Sequence, residues 1–318
     1  MTGRNQIFIL LFFTVHWTCL FGQIRVVNLT GDYVSYYYAS EQVSDSQKVE
    51  YFQTMVFGKA PDVYERIYND IRWIGQNVEE RILSSHTDFH SIESRFINLS
   101  DSLDIQLRAS LKSFLELFPD FNAHIDVYIL HSLGIRAGGV VNLDGRDILM
   151  FGVEQIIKYF DFQEFGPFFH HELTHLYHNM HYSPIENGNY SGGALYNNLW
   201  TEGLAVYVSK VMNPTASQKE VFMRDSLPQK TEEVLNLASR DILEHLYSTD
   251  KEVIRKYFWN SSTDPVIPKT AGYYIGYLLV REIAKDNSLI DLIRMKEEDF
   301  LPEFDQILGK GIIYKGQK

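Results

Sequence analysis

Five consecutive residues, His171-Glu172-Leu173-Thr174-His175, set the tightest limit on how this 318-residue chain can fold. Two histidines four positions apart lie on one face of an α-helix, so both imidazoles can reach a single metal ion. The glutamate between them is displaced around the turn, where it meets a water held by that metal. Any fold for this chain must carry residues 171–175 as helix and present that face to an ion. The chemistry such an arrangement suits is metal-assisted hydrolysis.

The surrounding sequence favours the helix. Gly166-Pro167 is a good entry, because the N–H that proline lacks has no partner in a first turn. At 100° per residue, Phe169, Leu173, Leu176 and Met180 form one apolar stripe, and His171 and His175 fall on roughly the opposite side. The expectation is a helix with one face in a core and the other open to a cleft. Ordinary packing histidines are the competing reading, and the placement of all three motif residues off the stripe argues against it.

A catalytic zinc takes three protein ligands and leaves a fourth position for water. The chain's one cysteine is Cys19, so the remaining ligand must come from His, Glu or Asp. His178 shares the face of His171 but lies roughly 10 Å further along the helix, too far for the same metal; it is expected as an outer or surface histidine. His181 follows His171 by ten residues, the spacing of HExxHxxGxxH, but that pattern reverses the chain at a glycine and this chain has His178 there. Glu202 stands in Leu199-Trp200-Thr201-Glu202-Gly203-Leu204-Ala205-Val206-Tyr207, an otherwise apolar helix in which a lone carboxylate is costly unless paired or metal-bound. The small Gly203 and Ala205 would let this helix approach the motif helix closely. Glu202 is therefore placed ahead of His181 as third ligand, against the bland reading of a solvated glutamate in a first helical turn.

Residues 1–22 read differently from the rest. Arg4 precedes an apolar run from Ile7 to Val15, and Leu20-Phe21-Gly22 precedes Gln23 as a cleavage site, which is the pattern of a secretory signal peptide. The working protein would then be residues 23–318, exported to the periplasm, the cell surface or the medium, with no transmembrane span. Cys19 as a lipid-attachment site is the alternative address, although His16-Trp17-Thr18 lacks the small and aliphatic residues such a site prefers. A formal net charge of −12 argues against nucleic acid or an anionic membrane as partner.

Residues 23–60 are Tyr- and Ser-rich and are expected to be an irregular lead-in. Helical spacing marks Ile67, Ile71, Ile74, Val78 and Ile82, and again about Leu103 to Phe118, giving a helical part over 61–120. Short segments rich in Val, Ile, Leu and Tyr at His124–Leu130, Gly138–Leu143 and Asp147–Gly152 predict a small sheet within 124–153, with Asp144-Gly145 as a hairpin turn. Helices return over 165–212, with Asn213-Pro214 as a stop, and continue through 215–318. The expected fold class is α+β, a small β-sheet plus active-site helix with a mainly helical remainder, in a single domain.

With these residues in view, the chain resembles a known group. His171, Glu172 and His175 followed by Trp200-Thr201-Glu202-Gly203-Leu204-Ala205 look like a gluzincin metallopeptidase. Ala271-Gly272-Tyr273-Tyr274-Ile275-Gly276-Tyr277 resembles a later element of a bacterial family of predicted zinc-dependent proteases of unknown function. The resemblance covers about residues 120–285 and implies a zincin-like fold, a Zn2+ cofactor on His171, His175 and Glu202, and peptide or protein substrates. It also implies Glu172 as general base and an oxyanion donor, for which Tyr273 and Tyr274 are the candidates, and it makes the strand Asp147–Gly152 the edge on which an extended peptide could add, with a plain core strand as the alternative. Val206 departs from thermolysin-like enzymes, which carry an acidic residue there to support a histidine ligand. Two other readings stay open: a catalytically silent zincin-fold binding or assembly protein of the cell envelope, and a zinc hydrolase of a non-peptide amide or ester.

Overall fold

The structure is a computed structural model that describes residues 24–121, 125–161, 164–182 and 193–310. The expected signal peptide, Cys19 and His124 lie outside the described residues. Among them, no helix is long and apolar enough to cross a membrane.

The chain opens on β1 (Ile24–Asn28), followed by α1 (Thr30–Ser40), α2 (Asp45–Met55), α3 (Pro61–Trp73), α4 (Val78–Phe89) and α5 (Glu93–Leu117). Next come β2 (Ile125–Leu130), β3 (Val140–Leu143), β4 (Arg146–Gly152) and α6 (Val153–Tyr159). The motif helix is α7 (Gly166–His181), and α8 (Leu195–Met212) carries Glu202. The remainder is α9 (Gln218–Phe222), α10 (Leu227–Glu233), α11 (Leu235–His245), α12 (Lys251–Phe258), α13 (Ala271–Ile283), α14 (Leu289–Arg294) and α15 (Glu297–Lys310). The fold is α+β.

The sheet has the order β1-β2-β4-β3, with β1 and β4 parallel to β2 and β3 antiparallel to β4. All six residues of β2 are buried, as a central parallel strand requires. The β3–β4 hairpin turns on Asp144 and Gly145, both with positive φ (49° and 86°), the backbone a two-residue primed turn demands. Two expectations fail here. Strand β4 is interior, paired to β2 on one side and β3 on the other, so the edges are β1 and β3. Residues 24–60 are also not irregular: Tyr33, Tyr36, Tyr37 and Ser40 are buried at helical spacing in α1, a pattern concealed by the exposed Tyr38 among them.

Helix α7 packs between α5 and α8, with β3 and β4 against it. Phe169 sets its ring edge-on to Phe151 of β4 at 5.0 Å between centroids. From Pro167 to His178 every residue except His175 is buried, while Met180 at the end of the expected apolar stripe is exposed. The open motif face expected from periodicity is thus largely covered, by α8 and the helices packed on it.

Helices α8 and α13 touch through backbone. A Cβ added to Gly203 would lie 2.7 Å from the Gly276 Cα, and one added to Gly276 would lie 3.0 Å from the Gly203 Cα. Gly203 therefore serves the approach of α13 rather than that of α7. This crossing sets Tyr273, one turn before Gly276, beside Glu202, the neighbour of Gly203.

Candidate active site

One turn of α7 separates His171 from His175, and their Nε2 atoms approach to 3.0 Å. Glu202 comes from α8, with Oε2 at 3.2 Å from His171 Nε2 and 3.3 Å from His175 Nε2. Helix α8 starts at Leu195, so Glu202 stands in its second turn and the first-turn reading does not apply. Around it Leu199, Trp200, Leu204 and Ala205 are buried in the core. The position is one where a carboxylate must be compensated.

The three donor atoms make a nearly equilateral triangle. A tetrahedral zinc with bonds of ~2.0–2.1 Å holds its donors about 3.3 Å apart, so the triangle matches one face of such a centre and leaves a corner free. Glu202 Oε2 is buried with no hydrogen bond of good geometry, which is the state of an oxygen aimed at a shared point rather than at an N–H. His178 and His181 are not in the group. His178 is buried rather than at the surface, and burial lowers its pKa to about 3. His181 packs its ring edge-on to Tyr177 instead.

The electrostatics are those of a carboxylate locked between two imidazoles. Burial alone would raise the Glu202 pKa, but the charge of His175 and the close approach of both rings hold it well below the usual range. Burial likewise works to lower His175, and Glu202 outweighs it, so this imidazole is pushed up. Glu172 is raised by burial, with His171 and His175 offsetting part of the effect. The two glutamates are thereby driven apart, one to stay ionised and the other to exchange a proton more readily.

A cavity of about 550 Å³ opens onto His171 and Glu172, and its walls include Phe222, Arg224, Phe258 and Tyr273. Tyr273 lies with its ring near that of His171, at 6.2 Å between centroids. Burial, with Glu202 and Glu172 adding negative charge, raises its phenol far above the ordinary value. Tyr274 is turned away: its hydroxyl donates to Glu232 and its ring packs on Phe222. Adjacent residues on a helix point about 100° apart, so only one of the two tyrosines can face the cavity.

A family model described as "Predicted Zn-dependent protease (DUF2268)" matches residues 108–302. The chain belongs to this family of predicted Zn-dependent proteases. No curated protein and no solved structure matches it. The family match runs from within α5 to within α15, so it contains the donor triangle, the cavity and the Gly203–Gly276 crossing, and leaves β1 and α1 to α4 before it.

Several residues of this family member carry no mark in the motif. Val206 is buried and apolar, and His171 Nδ1 is buried with no hydrogen-bond partner among the described residues. His170 is held instead. Asn213 Nδ2 donates to its Nδ1 at 2.8 Å, and its Nε2 lies 2.9 Å from Ser113 Oγ and 3.2 Å from the Ser110 carbonyl. That network makes Nε2 the protonated nitrogen and ties α7 to α5 and to the end of α8. Ser209 Oγ adds a bond to the Pro167 carbonyl at 2.7 Å, so the relative height of α7 and α8 is held from their far ends. Arg224 and Thr270 line the cavity from turns, where helical periodicity gives no signal.

Proposed function

We propose that this protein is an exported, zincin-like, zinc-dependent peptidase, with residues 23–318 acting as one domain. The observation that carries the reading is the convergence of His171 Nε2, His175 Nε2 and Glu202 Oε2 within 3.0–3.3 Å of one another, with Glu172 beside them on the wall of the cavity. These three side chains would hold the zinc ion. When bound there, zinc supplies Lewis-acid chemistry, polarising a carbonyl and making a water acidic near neutral pH.

The chain's own groups do the rest. The Glu172 carboxylate takes a proton from the attacking water and delivers it to the leaving amine nitrogen, a cycle that needs a carboxyl whose pKa is raised toward the working pH. Tyr273 keeps its proton at neutral pH, so its hydroxyl can donate to the carbonyl oxygen as negative charge builds there. The aromatic walls, Phe222 and Phe258, exclude water from the reacting bond.

The test is to purify the chain from residue 23, measure bound metal, and assay a peptide library with wild type and Glu172→Gln. One zinc per chain in both proteins, with turnover reduced about 10²–10⁴-fold by the substitution, supports the reading. A silent binding protein would keep the metal and cleave nothing. Absence of metal at micromolar zinc would remove the basis of the proposal.

A further inference from the structure

The cavity beside His171 and Glu172 contains two cationic side chains from the segment around α9, and they are not equivalent. Lys219 sits between Asp161 at 3.6 Å and Asp225 at 3.5 Å, so its charge is answered within the protein. Arg224 is half-buried on the same wall and forms neither ion pair nor hydrogen bond with any described residue. A guanidinium offers five donors in a fixed fork. Here none of them has a partner among the described residues.

The backbone around Arg224 is unusual. Met223 and Ser226, on either side of Arg224-Asp225, both have φ of 55°. Across the cavity Thr270 has φ of 65°. Such left-handed residues cost of order 1 kcal/mol or more each when they are not glycine. Asp144 is explained by its hairpin and Met223 by ending α9, whereas Ser226 and Thr270 stand just before α10 and α13, and Met223 and Thr270 themselves line the cavity. The turn holds Arg224 on the wall shared with Tyr273, close enough for its charge to lower the phenol pKa against the dominant effect of burial.

The setting makes an unanswered cation informative. The chain is acidic overall, and Glu172 and Glu202 together offset the two positive charges of the zinc that His171, His175 and Glu202 would hold, so Arg224 is the cation left over to receive a substrate carboxylate. A bidentate guanidinium–carboxylate pair is the arrangement that gives both charge and direction.

We propose that Arg224 is the specificity-determining residue of this site, taking through its guanidinium a carboxylate that the peptide carries next to the scissile bond. That carboxylate is either an acidic side chain or the free C-terminus. The inference rests on the peptidase reading above and names its substrate class.

The experiment uses the zinc-loaded chain and one parent peptide in four forms: Glu or Gln flanking the scissile bond, each with a free or an amidated C-terminus. The value of kcat/KM is measured for wild type, Arg224→Gln, Arg224→Lys and Arg224→Glu, with thermal unfolding confirming that each variant is folded. Wild type should favour one carboxylate arm by about 10- to 100-fold, the range for a charge-assisted hydrogen-bonded contact. Which arm it is identifies the source of the carboxylate. Arg224→Gln should erase that ratio, Arg224→Lys should retain part of it, and Arg224→Glu should shift preference to a Lys-bearing peptide. Binding of the same four peptides to Glu172→Gln by fluorescence anisotropy, with and without Arg224→Gln, should give the same order and reports recognition apart from turnover. Equal treatment of all four peptides by wild type, or a preference that survives Arg224→Gln, overturns the assignment while leaving the peptidase reading intact. Failure to cleave or bind any peptide overturns both.

Discussion

Toward α5, helix α7 turns His170, whose two ring nitrogens both find partners in Asn213, Ser110 and Ser113. Toward α8 it turns His171, whose Nε2 meets another ring nitrogen and a carboxylate oxygen and whose Nδ1 has no partner among the described residues. The two residues are adjacent, identical and buried, so composition and burial do not separate them. What separates them is the direction of hydrogen bonding: around His170 donors face acceptors, whereas around His171 electron pairs face electron pairs. The first arrangement is complete without an ion, and the second calls for a cation at its centre.

That contrast is tested most severely by His171→Ala. Loss of one of three donors should take the metal content from one per chain to near zero and lower peptide turnover by more than about 10⁴-fold, since the activated water and the carbonyl polarisation go together. Elemental analysis after gel filtration reads the first effect and a coupled peptide assay the second. His170→Ala should do the reverse: metal retained, and stability lowered by about 3 kcal/mol, as a buried ring is lost and the Ser110 carbonyl and Asn213 amide lose their partner. Urea unfolding with metal measured in parallel checks it. Metal loss in the His170 variant, or a metal-replete His171 variant, would erase the distinction between the two faces.

Gly276→Ala examines the crossing that lies behind the His171 face. Alanine favours an interior helical position over glycine by about 1 kcal/mol, but its methyl would run into the Leu199 carbonyl oxygen and lie 3.0 Å from the Gly203 Cα, and overpacking of this kind costs about 1–3 kcal/mol. Steric repulsion should win by up to about 2 kcal/mol. The displaced α13 would also carry Tyr273 off its place beside Glu202, lowering kcat with zinc content unchanged. A variant more stable than wild type would show that the helices can part without cost.

The motif helix, the Glu202 helix and the β3–β4 hairpin were legible because each is written in neighbours: a proline entry, a run of apolar residues, an Asp-Gly turn. What escaped was long-range. The cover over the motif face depends on Gly203 meeting Gly276, 73 positions away along the chain, and no local window shows that two glycines are paired. Tyr273 and Tyr274 are equivalent as letters, and only the face that Gly276 turns to α8 distinguishes them. Arg224 owes its place to left-handed Met223 and Ser226, residue types that give no sign of that backbone. In α1 the tyrosines had the right spacing, but polar partners between them and an exposed Tyr38 blurred the stripe.

His178 adds a third setting on the same helix, neither hydrogen-bonded at Nε2 nor gathered into the donor triangle. Burial holds its pKa at about 3, against an ordinary value of 6.5. Between those values the unfolded chain binds a proton that the folded chain does not, so ν_U exceeds ν_N and stability rises with pH. The contribution is complete above 6.5 and is lost as pH falls from 6.5 toward 3. One proton corresponds to at most about 1.4 kcal/mol per pH unit. His178→Leu should therefore flatten the acid limb by up to that slope while leaving the pH 7 limb in place. Urea unfolding of metal-free wild type and variant at pH 7, 6 and 5 isolates the difference, because His131, His170 and the carboxylates titrate in both proteins. Parallel stability curves across that interval would mean that His178 is protonated inside the fold, and that its ring has a partner or a water which the α7 packing does not provide.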